Sequence, residues 1–227
     1  KDLVSWTPIG YALTDWKESA WAPDFQKVGD TYYIYYPDAG SNYVIWSKDV
    51  TGPWSEPIDL KIDGIDPGLI VTPEGKRYLF TNVGHVTPLT DDGLARAGET
   101  KHVYGGWDYP DEWVTECGCL ESPKLNYYNG YYYMMYASGH FRGHYGESYA
   151  ISDNVFGPYK KYKYNEVPAS NRYVDGAGDC MFVICPELEE NYVVYHKHSY
   201  GANNKGFDRD ICIDRFYFVP SEDGGPD

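Results

Sequence analysis

The sequence predicts an all-β chain built from repeated four-stranded units, the pattern of a β-propeller. Three observations predict it. Helical periodicity is nearly absent, and short apolar or alternating runs separated by Gly, Asn, Asp and Pro dominate. Four stretches with an acidic residue, Trp21-Ala-Pro-Asp24, Ile65-Asp66-Pro67-Gly68, Leu120-Glu121-Ser122-Pro123 and Gly176-Ala-Gly178-Asp179, each precede an aromatic-rich run. Equivalent points of those runs, Ile34, Leu79, Met134 and Val194, lie about 45, 55 and 60 residues apart, the size of a propeller blade.

The elements follow in order. Lys1–Leu13 reads as an outer half-blade, because Lys1-Asp-Leu-Val4 runs into Trp6-Thr-Pro8 as Ser47-Lys-Asp-Val50 runs into Gly52-Pro-Trp-Ser55 and Ser152-Asp-Asn-Val155 into Gly157-Pro-Tyr159. Four full units begin near Trp21, Ile65, Cys119 and Asp175. Val28-Gly29-Asp30, Glu74-Gly75-Lys76 and Asn129-Gly130 are the turns that join each innermost strand to its aromatic neighbour. The expectation is a five-bladed β-propeller with an incomplete first blade, four full blades plus a half-blade, over residues 1–220, followed by an acidic tail over 221–227. An incomplete blade leaves strand edges that invite pairing, which predicts a homodimer covering the gap.

Composition narrows the partners. A net charge of -15 repels nucleic acid and anionic membrane surfaces, and no apolar run approaches a membrane span. Tyr accounts for 25 residues; a ring with a hydroxyl suits carbohydrate, although the plainer reading of most of them is strand formation. Acidity fits a secreted or periplasmic protein, with a cytoplasmic one left open. The five cysteines, Cys117, Cys119, Cys180, Cys185 and Cys212, lack zinc-site spacing and read as buried thiols, with Cys180–Cys185 pairing as an alternative.

In order and spacing these segments resemble glycoside hydrolase family 43, five-bladed propeller enzymes that remove arabinofuranosyl and xylosyl units from plant polysaccharides. Lys1–Leu13 is similar to that family's first-blade exit, Trp21-Ala-Pro-Asp24 to the opening of its second blade, Ile65-Asp66-Pro67-Gly68 with Glu74–Leu79 to its third, and Glu121–Leu125 with Asn129–Tyr133 to its fourth; Leu89–Gly93 also fits. The resemblance implies an inverting glycosidase for α-L-arabinofuranosyl or β-D-xylosyl linkages of hemicellulose or pectin.

Carried over residue by residue, Glu121 matches the general acid, with Glu116 its nearest competitor. Asp66 matches the aspartate that orients the acid and sets its protonation. The family's base sits on a first-blade strand that would lie upstream of Lys1, so Asp24 is the candidate stand-in. An inverting pair needs its carboxyls roughly 6.5–9.5 Å apart to admit a water. Arg209 resembles the family's fifth-blade arginine that reaches the sugar, with Arg215 as the alternative; Trp21, His140, Phe141 and Arg142 lie at strand ends or loops expected to face the pocket and bind substrate, and His196 reads as site lining. Where the family carries Gly-x-Gly-His, this chain has Gly176-Ala-Gly178-Asp179. No cofactor is required, but Asp179 is a hard oxygen ligand that could take Ca²⁺ at the axis. The competing function is a non-catalytic carbohydrate-binding propeller that has lost its base.

Overall fold

The computed structural model describes residues 5–82, 84–103, 120–142, 145–162, 173–185, 190–200, 207–220 and 226. All regular structure among them is β, in four antiparallel sheets whose strands follow chain order. The first sheet comprises β1 (Asp24–Val28), β2 (Thr31–Asp38), β3 (Ser41–Ser47) and β4 (Ile58–Asp59). The second comprises β5 (Gly68–Val71), β6 (Arg77–Thr81), β7 (His85–Leu89) and β8 (Lys101–His102). The third comprises β9 (Leu120–Tyr128), β10 (Tyr131–Gly139), β11 (Tyr145–Ser152) and β12 (Lys160–Lys161), and the fourth β13 (Gly178–Cys185), β14 (Glu190–His198) and β15 (Arg209–Phe216).

The blade starts and hairpin turns fall where the sequence places them. At the β9–β10 turn both Asn129 and Gly130 have positive φ, the conformation that a two-residue turn needs to match strand twist. Alternation along each strand then sends neighbouring side chains to opposite blades. Leu69 and Leu79 join Tyr33, Tyr35 and Val44 between the first two blades, whereas Ile70, Phe80 and Val86 join Leu125, Tyr132 and Met134 between the second and third. Met135 turns the other way, to Ala177, Cys180 and Tyr195 of the fourth.

The half-blade is not seen among the described residues, whose blades number four. Residues 5–23 carry no strand; instead Ala12, Leu13 and Ala20 pack on Tyr36, Tyr43 and Ile45 on the far side of the first blade. The buried Asp38 carboxylate accepts the backbone N–H groups of Lys17, Glu18 and Ser19 at 2.6–3.0 Å, gathering this segment into a loop around one side chain. The fourth blade has three strands, and the outer edge of β15 has no strand partner among the described residues. Cys180 is a free buried thiol, so the Cys180–Cys185 pairing is absent; Cys117, Cys119, Glu116 and the 221–225 stretch lie outside the described residues.

Each blade opens with the same backbone device. Ala22, Asp66, Ser122 and Asp179 take positive φ of 39°, 54°, 57° and 52°, a conformation costly for residues with a side chain. In β9 and β13 the kink coincides with a register shift opposite Met135–Ala137 and between Gly178 and Met181. Such bulges re-aim side chains. At the second joint the inner strands approach so closely that a Cβ on Gly68 would lie 1.8 Å from the Pro123 carbonyl oxygen.

Candidate active site

The kinks show that the four acidic residues are not equivalent. Asp66 and Asp179 are the kinked residues themselves, Glu121 precedes its kink, and Asp24 follows its kink by two. A shift of one residue re-aims a side chain, so the four carboxylates have different surroundings.

Glu121 and Asp66 come together. Asp66, only 3% exposed, accepts the Ser122 N–H at 3.1 Å and faces the Ser122 hydroxyl at 3.4 Å. The backbone next to Glu121 is thus bonded to the Asp66 carboxylate. Burial, then the charges of Glu121 and Asp179, push the Asp66 carboxyl up to about 7, with Lys124 and the Ser122 N–H pulling the other way. Glu121 Oε1 accepts a 2.5 Å hydrogen bond from the Tyr145 hydroxyl, and burial, followed by the Glu121 charge, keeps that phenol protonated far above its usual range.

Asp24 is different. It is fully buried, Oδ2 accepts the Leu69 N–H at 2.8 Å, and Gln26 lies 3.2 Å from both oxygens. Lys124 Nζ stands 3.8 Å from Oδ1. Burial raises its proton affinity, with Lys124 and the Leu69 N–H opposing. As arranged here it offers no face to a water molecule, which argues against its service as a base.

Of the expected substrate residues, His196 and Arg209 sit beside Tyr145. The His196 ring stacks on Tyr145 at 5.9 Å, and the Arg209 guanidinium lies 6.0 Å from the same ring. A Cβ on Gly178 would meet Tyr145 at 2.1 Å and His196 at 2.6 Å, so the stack requires glycine there. Burial and then Arg209 push His196 down to about 4, leaving a neutral imidazole at pH 7. His140, Phe141 and Arg142 form a separate rim: Arg142 covers Phe141 and Phe207, and the Phe141 carbonyl meets His198 Nε2 at 2.9 Å. Trp21 is half-exposed at the entrance to β1. Arg215 is elsewhere, paired with Glu190 at 2.6 Å.

Asp179 influences Asp24, Asp66, Glu147 and His196 through its charge. Among the described residues no three His, Cys, Asp or Glu side chains converge as metal ligands.

Sequence reasoning missed Tyr145, Lys124 and Glu147. Glu147 is fully buried, accepts the Cys180 N–H at 3.1 Å, and burial holds its carboxyl well above the usual range. Register brings it to the site: Glu121 and Glu147 both pair with Ala137 from opposite sides, which puts their side chains on one face of the third blade.

The family model for glycosyl hydrolases family 43 matches residues 1–226. The chain belongs to glycosyl hydrolase family 43. Among curated family relatives it is 26% identical to a xylan 1,3-beta-xylosidase of a Vibrio species, over 75% of this chain and 36% of that protein. It is 25% identical to the extracellular endo-alpha-(1->5)-L-arabinanase 1 of Bacillus subtilis, over 92% of this chain and 70% of the relative. The chain spans about a third of the length of the xylosidases it matches. In fold it is similar to the crystal structure of a thermostable family-43 glycoside hydrolase, with a TM-score of 0.77, 24% identity, and coverage of 90% of this chain and 73% of the other.

Proposed function

We propose that this chain carries the acid side of an inverting glycosidase for α-L-arabinofuranosyl or β-D-xylosyl linkages, with the proton of the attacking water taken by a base other than the enclosed Asp24. Glu121 protonates the leaving oxygen and Asp66 controls the proton on Glu121. The observation that carries the reading is the bond from Ser122 N–H to the Asp66 carboxylate, which ties one acid to the backbone beside the other. Burial and the neighbouring Glu121 charge let Asp66 hold a proton to about 7, so the joint carries a proton near neutrality beside the residue read as the general acid. Neutral His196, Tyr145 and Arg209 supply hydrogen-bonding and stacking groups for a pentose. Relatives named as xylosidases, xylosidase/arabinosidases and an arabinanase support this substrate class.

The test is NMR analysis of products from paired aryl α-L-arabinofuranosides and β-D-xylosides, with Glu121→Ala as control. The expected first product is the anomer opposite to the substrate, absent in the control. A second reading, a carbohydrate-binding propeller without turnover, is favoured by the closed environment of Asp24. Sugar binding with no release from either glycoside would establish it over the enzyme.

A further inference from the structure

Lys124 lies on β9, two residues beyond the Ser122 kink, and its side chain is only 4% exposed. It reaches two other blades: Nζ donates to the Pro67 carbonyl at 2.8 Å and stands 3.8 Å from Asp24 Oδ1. Pro67 directly follows Asp66, whose carboxylate accepts the Ser122 N–H. The two kinks are therefore fastened twice, once by Ser122 to Asp66 and once by Lys124 to Pro67. A hydrophobic residue would fill the same space without the desolvation cost of an ammonium. That cost points to a use for the charge. Asp66 faces Glu121 and Lys124 from β9, Asp179 from β13 and Tyr145 from β11, while Asp24 on β1 faces Lys124 from the other side.

We propose that Lys124 is a positioning residue for the acid pair, clamping the Asp66–Pro67 kink against Glu121–Ser122 and supplying positive charge to Asp66. This rests on the reading of Asp66 and Glu121 as an acid pair. Asp24 becomes the buried counter-charge that aims Lys124, itself held by the Leu69 N–H. A cation favours the ionised carboxylate, so removing it makes Asp66 harder to ionise.

The experiment compares Lys124→Met, Asp24→Asn and the double variant with the unsubstituted protein. The readouts are thermal stability, ¹³C NMR titration of the Asp66 carboxyl, and the pH profile of kcat/KM on the aryl glycosides. In Lys124→Met the Asp66 titration should rise by about half a pH unit or more, and the matching limb of the profile should move the same way. The double variant removes both buried charges, so it should regain the lost stability while retaining the upward titration. An Asp66 titration unchanged in Lys124→Met, or restored in the double variant, would reduce Lys124 to a partner of Asp24 and overturn the proposal. Should Lys124→Met fail to fold, the double variant against Asp24→Asn makes the same measurement. Absence of turnover in the unsubstituted protein would sink the hydrolase reading and leave the NMR titration to decide the clamp.

Discussion

Asp66 combines a left-handed backbone, near-complete burial and a carboxyl that holds its proton to about 7. An unfolded aspartate ionises near 4, so the folded state binds the proton more tightly and loses stability as pH rises from about 4 to 7. Above that window ionised Asp66 costs the fold up to about 4 kcal/mol. Asp66→Asn cannot ionise, yet keeps an oxygen for the Ser122 N–H. It should therefore melt above the parent at pH 8, with the difference shrinking towards zero at pH 4, while activity falls. Thermal melts at the two pH values check this; an equal difference at both would show that burial of the charge is not the cause. Stability is given up here at the residue the proposed chemistry uses. The carboxylate itself was legible, since Ile65-Asp66-Pro67-Gly68 recurs as one of the acidic stretches that open each unit. Its partner Lys124 was not, because a lysine beside Glu-Ser-Pro reads as a solvent-facing residue until the other blades are in place.

At the level of elements, the three joints between successive described blades carry the same fastening. A buried carboxylate of one blade accepts a backbone N–H of the next inner strand: Asp24 from Leu69, Asp66 from Ser122, Glu147 from Cys180. Kinked and bulged inner strands leave N–H groups without a ladder partner, and buried ones need an acceptor. Glu147→Gln keeps that acceptor and resembles the protonated acid that burial favours, so it should change stability by less than about 1 kcal/mol. Glu147→Ala strands the Cys180 N–H and should cost about 1–3 kcal/mol or more. Urea unfolding of the two variants compares them directly; equal losses would mean that the joint depends on volume, not on the hydrogen bond. Hairpins such as Asn129-Gly130 were legible because a turn is written in adjacent residues. Tyr145 and Glu147 were not, because the pairings Gly139–Tyr145 and Ala137–Glu147 are cross-strand and no local pattern specifies that register.

For the whole molecule, the repeat length and the acid-headed stretches led to a propeller, and the four described blades follow it. The half-blade expectation was not met among the described residues: 5–23 carry no strand, and the segment at Lys17–Ser19 is bonded to Asp38. Inner strands lying side by side bring together residues far apart in sequence: the charges of Glu121 and Asp179 raise the proton affinity of Asp66, and that of Asp179 raises Asp24's. That convergence keeps a proton on Asp66 beside Glu121, and the proposed chemistry has Glu121 protonate the leaving group. The most direct test is the leaving-group dependence of Glu121→Gln. On a glycoside with a poor leaving group, such as 4-methylphenyl, kcat/KM should fall by about 10²–10⁴-fold, because departure needs a proton. On a 2,4-dinitrophenyl glycoside, whose leaving group departs without one, the fall should be within about tenfold. Equal losses on both substrates, or no loss on either, would contradict Glu121 as the general acid.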